Sequence, residues 1–571
     1  MTTGKALNGK PYAGNPHVWF DEVEVALAAA PRRGSLLYNA KIKKVFAALL
    51  FMAAANGSFA AKTLYVVPPG TAGNVPTSPY DSLETAATSL ADAVGASSNG
   101  DTILVRKGTY SFSGLDVLTI TQGLPSIRSY DPDNGGACNK EETIFDGTGF
   151  WGTDAAIKVD SLPWMDKSKL FTIEGFTFTN FPCTALCVTN TGGYFGKVAE
   201  CVFANNGGAV NGGAIRFFNC QNSMVTNCQF FGNVASGKNG GAICHDRSDS
   251  NNDAPISVVG CSFCGGSGAV ANKGGAIYAR TKVNVSRCTF RDLIVDSGSS
   301  SSMGGAIYCG RNSVISDCLF TGTMRGRWGQ VIAADSMAMS VSNCTFTAIS
   351  ADGDPSSPNS RYGLLRIGNS VSAEMFACAF TNNVSIPGAV LYVDGQPSTS
   401  GYASLNERRV RNCLFAANSS EELASLFQLA NQNTSYRPTV VDNCTAYMPS
   451  SRIIAHGQNN YTVNFHNCVA SGTSFGNGAN AVVTFANCAT TVEAMATDGL
   501  AYVANPDFSD ASAGDYTLKR KSPLRDAGAI LGWMDVSATD LAGAPRVFGD
   551  AVDIGCYENQ ESQPGFMIIV R

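Results

Sequence analysis

Apolar residues in this chain come in short alternating stretches, such as Ser257-Val-Val, Val283-Asn-Val-Ser and Val314-Ile-Ser, separated by clusters of Gly, Asn and Ser. Alternation with a period of two marks half-buried strands, and the polar clusters between them are turn chemistry. Two or three such strands recur per repeat, with almost no helical periodicity, which excludes a helical solenoid. One amphipathic helix is expected, because Leu83, Ala86, Ala87, Leu90 and Val94 lie at helical spacing within Asp81 to Val94, after a strand at Leu64-Tyr-Val-Val.

Two ladders of repeated residues run through the chain. Cys followed two residues later by Phe recurs at Cys201, Cys228, Cys261, Cys288, Cys318, Cys344, Cys378 and Cys413, and Cys444, Cys468 and Cys488 continue the ladder without Phe. Between them stand Gly212-Gly-Ala-Ile215, Gly240-Gly-Ala-Ile243, Gly274-Gly-Ala-Ile277 and Gly304-Gly-Ala-Ile307, with weaker echoes at Gly329, Gly363 and Gly388. The Cys ladder advances by about 29 residues per step. Short strands that return to the same position at such a period wind into a parallel β-helix, each coil stacking on the last at the ~4.8 Å strand spacing. Each position then faces one way in every coil, so the Cys, Phe and Ile rungs are expected to form continuous interior columns from about residue 101 to about residue 500.

Composition narrows the class. Gly supplies 60 of 571 residues, charged residues only 15% and apolar residues 44%, which fits a turn-rich folded chain and not a disordered one. A net charge of −5 makes nucleic acid an unexpected partner. Lys41, Lys43 and Lys44, the apolar run Val45 to Ala55 and the small residues up to Ala60 read as a signal peptide over 41–60, implying export. The run is too short for the ~20 residues of a membrane-spanning helix. Residues 1–40 read as a leader or as upstream translation with the true start near Leu36 or Leu37. Export permits disulfides, yet stacked rungs hold Cβ atoms ~4.8 Å apart, beyond the ~3.5 to 4.5 Å a bridge wants. The ladder cysteines are therefore expected as buried thiols, and Cys183 with Cys187 or Cys261 with Cys264 are the better candidates for bridges.

The alternation of Gly-Gly-Ala-Ile with Phe-x-x-Asn, seen from Phe203 to Asn206, Phe230 to Asn233, Phe380 to Asn383 and Phe415 to Asn418, resembles the repeat of polymorphic outer membrane proteins. That resemblance covers roughly residues 200 to 420 and implies a right-handed parallel β-helix, pectin-lyase-like in architecture, at a bacterial surface and associated with adhesion. Those proteins end in an autotransporter barrel, for which the residues after Cys488 are too few. Instead, Ser522-Pro-Leu-Arg-Asp-Ala-Gly528, Asp540-Leu-Ala-Gly-Ala-Pro-Arg546 and Val552-Asp-Ile-Gly-Cys-Tyr-Glu558 resemble the closing module of β-helix proteins of the choice-of-anchor Q type. Gly100-Asp-Thr-Ile-Leu-Val105 and Gly108-Thr-Tyr110 resemble the opening of the same proteins. The expected plan is an N-terminal strand and cap over 61–100, the β-helix over 101–500, a C-terminal capping module over 501–558 and a tail over 559–571. In that module Asp526, Asp540, Arg546, Asp553 and Glu558 read as turn caps and an ion pair.

Catalytic chemistry is thinly signalled. A hydrolase needs paired carboxylates on one face, and neither these nor metal-ligand spacing around His245, His456 or His466 can be read from the chain. No catalytic residue and no cofactor are expected. Asp131, Asp133 and Glu142 partly fit a calcium loop, although Gly135 stands at its fifth place. The segment bearing His245, Asp246, Arg247, Asp249 and Asp253 follows a Gly-Gly-Ala-Ile strand and is a candidate ligand-contact loop. The expectation is a secreted or surface-exposed, monomeric, non-catalytic scaffold contacting a polysaccharide, a host-surface glycan or a protein. A polysaccharide lyase or glycoside hydrolase on the same fold is the alternative. Carboxylates with Arg or Lys in one long groove would favour the enzyme, and a face of Asn, Ser and Thr would favour binding.

Overall fold

A computed structural model describes residues 61–115, 117–121, 125–160, 171–189, 196–220, 222–246, 255–265, 270–295, 302–334, 337–351, 363–368, 371–385, 389–393, 408–418, 425–429, 438–448, 450–454, 462–475 and 482–561. The signal segment, the leader and His456 lie outside these residues. Each full coil contributes three strands, for example Met224–Thr226, Gln229–Phe231 and Ile243–Asp246. Each strand pairs in parallel with its counterpart one coil on, as Val225 with Val258, Phe230 with Phe263 and Ile243 with Ile277. Among the described residues the first sheet has 15 strands, from Thr63–Val66 to Val482–Ala486, and the third has 12, from Leu118–Ile120 to Arg452–Ile454. The second runs from Gly108–Gly114 to Leu500–Tyr502. The protein is a parallel β-helix. Its first rung is Thr63–Val66, paired with Thr102–Arg106, so the stack starts within the segment expected to be a cap.

The corner between the first and second sheets turns on one residue. Before each ladder cysteine stands a residue in the left-handed region, among them Asn227 (φ 53°), Asn343 (52°), Asn412 (51°), Asn443 (50°) and Asn467 (52°). Asparagine tolerates this conformation better than most side chains, and Gly260 takes the same place before Cys261. The bend turns the cysteine inward. From Cys201 to Cys488 every ladder thiol is buried, and each donates to the carbonyl two residues earlier at 3.0 to 3.5 Å. Several accept in turn, Cys228 N–H reaching Cys261 Sγ at 3.4 Å and Cys444 N–H reaching Cys468 Sγ at 3.4 Å. Burial pushes the Cys228 and Cys444 thiols well above their ordinary pKa, and a protonated thiol is a poor nucleophile.

Neither candidate bridge forms, and all 19 cysteines are free. Cys183 and Cys187 lie four residues apart across the start of the extended strand Thr184–Thr189, which separates their Cα atoms by about 13 Å against a disulfide limit near 7 Å. Cys261 and Cys264 are kept apart in the same way by strand Ser262–Cys264. Spacing of three or four residues brings side chains together on a helix, not on a strand.

The other motif residues also stack on their own kind. Phe178, Phe203, Phe230, Phe263, Phe290, Phe320, Phe346, Phe380 and Phe415 form one column, neighbouring rings 4.4 to 5.1 Å apart and within 11° of parallel. Each buried ring contributes on the order of 1.5–3 kcal/mol. The Asn of Phe-x-x-Asn is interior too. Asn383 Nδ2 donates to Phe346 O (2.8 Å) and to Asn418 Oδ1 (2.9 Å), and Asn383 Oδ1 accepts from Ile349 N–H (3.0 Å). Asn206 and Asn233 repeat the arrangement on Phe178 O and Phe203 O. These amides satisfy backbone groups where the second sheet ends. In Gly240-Gly241, Gly240 is left-handed (φ 70°), and a Cβ on Gly241 would stand 2.1 Å from Gly275 O, so the pair is demanded by the turn and by the next coil.

Both ends are closed. The N-terminal helix α1 spans only Leu90–Ala96, capped by Ser89, and buries Leu90, Ala93 and Val94. The expected first half of that helix is not helical, because Ala87 bridges to Val66 and hydrogen-bonds with the strand edge instead. At the other end, Arg546 is fully buried with Nη2 3.5 Å from Glu558 Oε2. Asp553 accepts Asp526 N–H and Asn559 N–H, and Asp540 accepts Ala542, Ala544 and Glu558 N–H. These carboxylates are the turn caps and ion pair expected from the sequence. The module docks on the asparagine corner, Asn467 Nδ2 donating to Ala529 O (2.7 Å) and Asn443 Nδ2 to Asp553 O (3.4 Å).

In thiol labelling of the native protein without reductant, only the half-buried Cys138 and Cys264 are expected to react, and the other thiols only after unfolding. Failure of the ladder cysteines to label even when unfolded would show them oxidised. Asn383→Ala is expected to cost about 2–4 kcal/mol in chemical denaturation, since it strands several buried backbone groups at about 1–3 kcal/mol each. A loss below half a kcal/mol would show that water replaces the amide.

Candidate binding face

The residues singled out in the sequence divide. Asp131, Asp133 and Glu142 do converge, but on the ammonium of Lys107, whose Nζ lies 3.2 Å from Asp131 Oδ1, 3.0 Å from Asp133 Oδ2 and 3.5 Å from Glu142 Oε2. The chain thus supplies a cation of its own to the calcium candidates, and Asp133 and Asp131 hold that ammonium above its ordinary pKa. Among the described residues, no group of three or more His, Cys, Asp or Glu is arranged to hold a metal ion.

His245 is not on a ligand-contact loop. It points inward from strand Ile243–Asp246, fully buried, with Nε2 3.0 Å from Cys220 O and Nδ1 3.0 Å from Thr281 Oγ1. Strand alternation turns Cys244 and Asp246 to the opposite side. Asp246 pairs with Arg280 at 3.6 Å. Arg247, Asp249 and Asp253 lie outside the described residues.

The outer face of the first sheet is one of the accessible surfaces, its outward residues half-buried to exposed. Strand pairing places two outward positions of every coil in straight rows. One row is the residue two before each ladder cysteine, where Thr226, Val259, Ser286, Ser316 and Ser342 follow in register. The other is the residue four before, including Ser257, Asn284, Val314 and Ser340. The middle of this face is hydroxyl and amide with scattered valines, and it carries no charge on these rows from Met224 to Ser342.

Toward the C-terminal end the same rows become charged. Glu374, Arg411, Asp442 and His466 sit on four consecutive coils. Asp442 is buried to 4% side-chain exposure and takes Arg411 Nε at 3.3 Å and His466 Nδ1 at 2.8 Å. Arg411 Nη1 also reaches Glu374 Oε1 at 3.3 Å, and its guanidinium lies 5.1 Å from the ring centre of Trp533, contributed by the C-terminal module. His466 keeps 32% of its side-chain surface. The hydrogen bond from Nδ1 to Asp442 holds its pKa above the ordinary value and leaves Nε2 directed away from the carboxylate.

The third sheet presents a different face, with Tyr278 and Tyr308 stacked at 5.1 Å and Arg366 4.9 Å over Trp328. Tyr308, Arg366 and Tyr392 are buried there, so this surface is not an open platform.

The sequence reading missed the Asp442 and His466 pair. The signal was present in the rule that the residue two before each ladder cysteine faces outward on the first sheet, which aligns Arg411, Asp442 and His466 ahead of Cys413, Cys444 and Cys468.

No protein-family model and no curated protein matches the chain. Among solved structures, the pectate lyase Pel9A is 14% identical, with 88% of this chain and 97% of that one covered at a TM-score of 0.28. A mannuronic acid specific polysaccharide family 6 lyase enzyme from human gut microbiota is 13% identical, with 71% and 86% covered at a TM-score of 0.31. Similarity at this level bears on neither activity nor ligand, and the fold assignment rests on the strand ladders.

A raised folded-state pKa makes the His466 contribution to stability fully present below about pH 6.5 and lost as pH rises through the folded value. An NMR titration is expected to place His466 above the free-histidine value, and Asp442→Asn to lower it. An unchanged titration in the variant would mean that the pair does not form.

Proposed function

We propose that this protein is an exported, elongated scaffold whose first-sheet face contacts a polysaccharide or a host-surface glycan, as in adhesion, without catalysis. The observation that supports this most directly is the register of hydroxyl side chains at Ser286, Ser316 and Ser342 on successive coils, beside Asn284 and Ser340. Such groups exchange hydrogen bonds with sugar hydroxyls at little net desolvation cost, and coils repeating every ~4.8 Å present them as a row. Each contact is weak, at about 0.5–1.5 kcal/mol, so useful affinity comes from many coils engaging one chain at once.

The test is a glycan screen with the purified protein, followed by the combined variant Ser286→Val, Ser316→Val and Ser342→Val. Valine suits strands, so the fold is expected to survive, while affinity for the glycan found in the screen falls about tenfold or more from the loss of several such hydrogen bonds. Unaltered affinity would remove this face from the reading.

The alternative, a polysaccharide lyase or glycoside hydrolase, has one observation in its favour. A buried aspartate holding a histidine whose second nitrogen points away from it is an arrangement used for proton transfer. Release of new reducing or unsaturated ends from a polysaccharide panel, abolished by His466→Gln, would establish it.

A further inference from the structure

The charged end of the first-sheet face suggests which glycans it takes, an inference that rests on the glycan-contact reading above. We propose that His466, clamped by Asp442, is a cationic subsite for the carboxylate of an acidic glycan lying along this face, donating from Nε2 when the imidazole is protonated.

Position supports it. His466 continues the outward row that holds the serines; Phe376, Arg411 and Asp442 lie between, with Trp533 packed against Phe376 and Arg411, so a glycan meets His466 beyond that indole. The coil before supplies Asp442, whose carboxylate is occupied by Arg411 and His466 Nδ1 and therefore fixes the ring with Nε2 turned away. The coil after presents Ala486 opposite His466 and Thr484 opposite Asn464, so among the described residues the strand paired with it sets small side chains beside the imidazole. Thr484 Oγ1 lies 2.9 Å from Asn464 Oδ1, which leaves the Asn464 amide N–H groups on the same side as a second set of donors.

Charge supports it as well. The titratable and charged groups on the neighbouring outer rows are Asp442, then Arg411, Arg409 and Glu374 farther back, with the interior thiol of Cys468 behind the strand. Arg411 is committed to Asp442 and Glu374. Protonation of His466 adds a positive charge beside them, and a charge-assisted hydrogen bond to a carboxylate is roughly twice as strong as a neutral one. Binding of an acidic glycan is thus coupled to proton uptake at one residue.

The experiment measures binding of polygalacturonate, sulfated dextran and neutral dextran to the mature protein at about pH 5.5 and about pH 8, values that bracket the imidazole titration. Ionic strength is held constant, because salt screens such contacts. Polygalacturonate is expected to bind about fivefold or more tighter at the lower pH. His466→Gln should flatten that dependence, and His466→Arg, a permanent cation, should hold the tight binding across the range. A preference for sulfated dextran over polygalacturonate would overturn the carboxylate assignment. Polygalacturonate affinity that ignores pH, or that keeps its pH dependence in His466→Gln, would overturn the subsite while leaving the scaffold reading intact if glycans still bind. Binding of no glycan at either pH would overturn the scaffold reading itself, and cleavage of polygalacturonate would replace the subsite with catalysis.

Discussion

Every feature of this protein depends on one constraint: each coil lies a single strand spacing from the next, so a residue's nearest neighbours are its own counterparts before and after it. At ~4.8 Å there is no freedom to interdigitate unlike side chains along the axis. A position must be filled by a residue that tolerates its own copy as its neighbour. Phe does so by parallel stacking, Asn by passing a hydrogen bond from coil to coil, and Cys by donating to one carbonyl while accepting from the preceding coil's N–H. Ion pairs cannot be built within a column of identical charges. The buried pair of Arg546 and Glu558 lies in the C-terminal module, where the repeat has ended.

The same constraint accounts for the state of the cysteines. A disulfide needs Cβ atoms to converge, and parallel stacking keeps them a full coil apart. Within one coil, the extended backbone separates Cys183 from Cys187 by still more. A chain with 19 cysteines can therefore remain free of bridges, all but Cys138 and Cys264 protected by burial.

Outside the core, register that serves stability also organises the surface. Strand pairing that lines up Cys and Val on the inside lines up whatever precedes them on the outside. The hydroxyl row and the sequence Arg411, Asp442, His466 are consequences of the same hydrogen bonds that stack the coils. Moving one residue along any strand would exchange the inner and outer sets, since successive side chains point to opposite faces. A binding face on this architecture is therefore as rigid as the core beneath it.

The sequence alone determined the β-helix, its columns and the closed C-terminal module, because a fixed-period ladder of Cys, Phe and Gly-Gly-Ala-Ile has few other ways to bury itself. It also carried the outward rows, in the residues two and four before each cysteine, although nothing in composition marked them. Only the tertiary structure decided that Lys107 fills the space among Asp131, Asp133 and Glu142, that His245 faces inward while His466 faces out, and that Trp533 covers Arg411. Each of these depends on which loop lies over which coil and on the phase of one strand. Such contacts between residues 24 to 122 positions apart leave no local pattern in the chain.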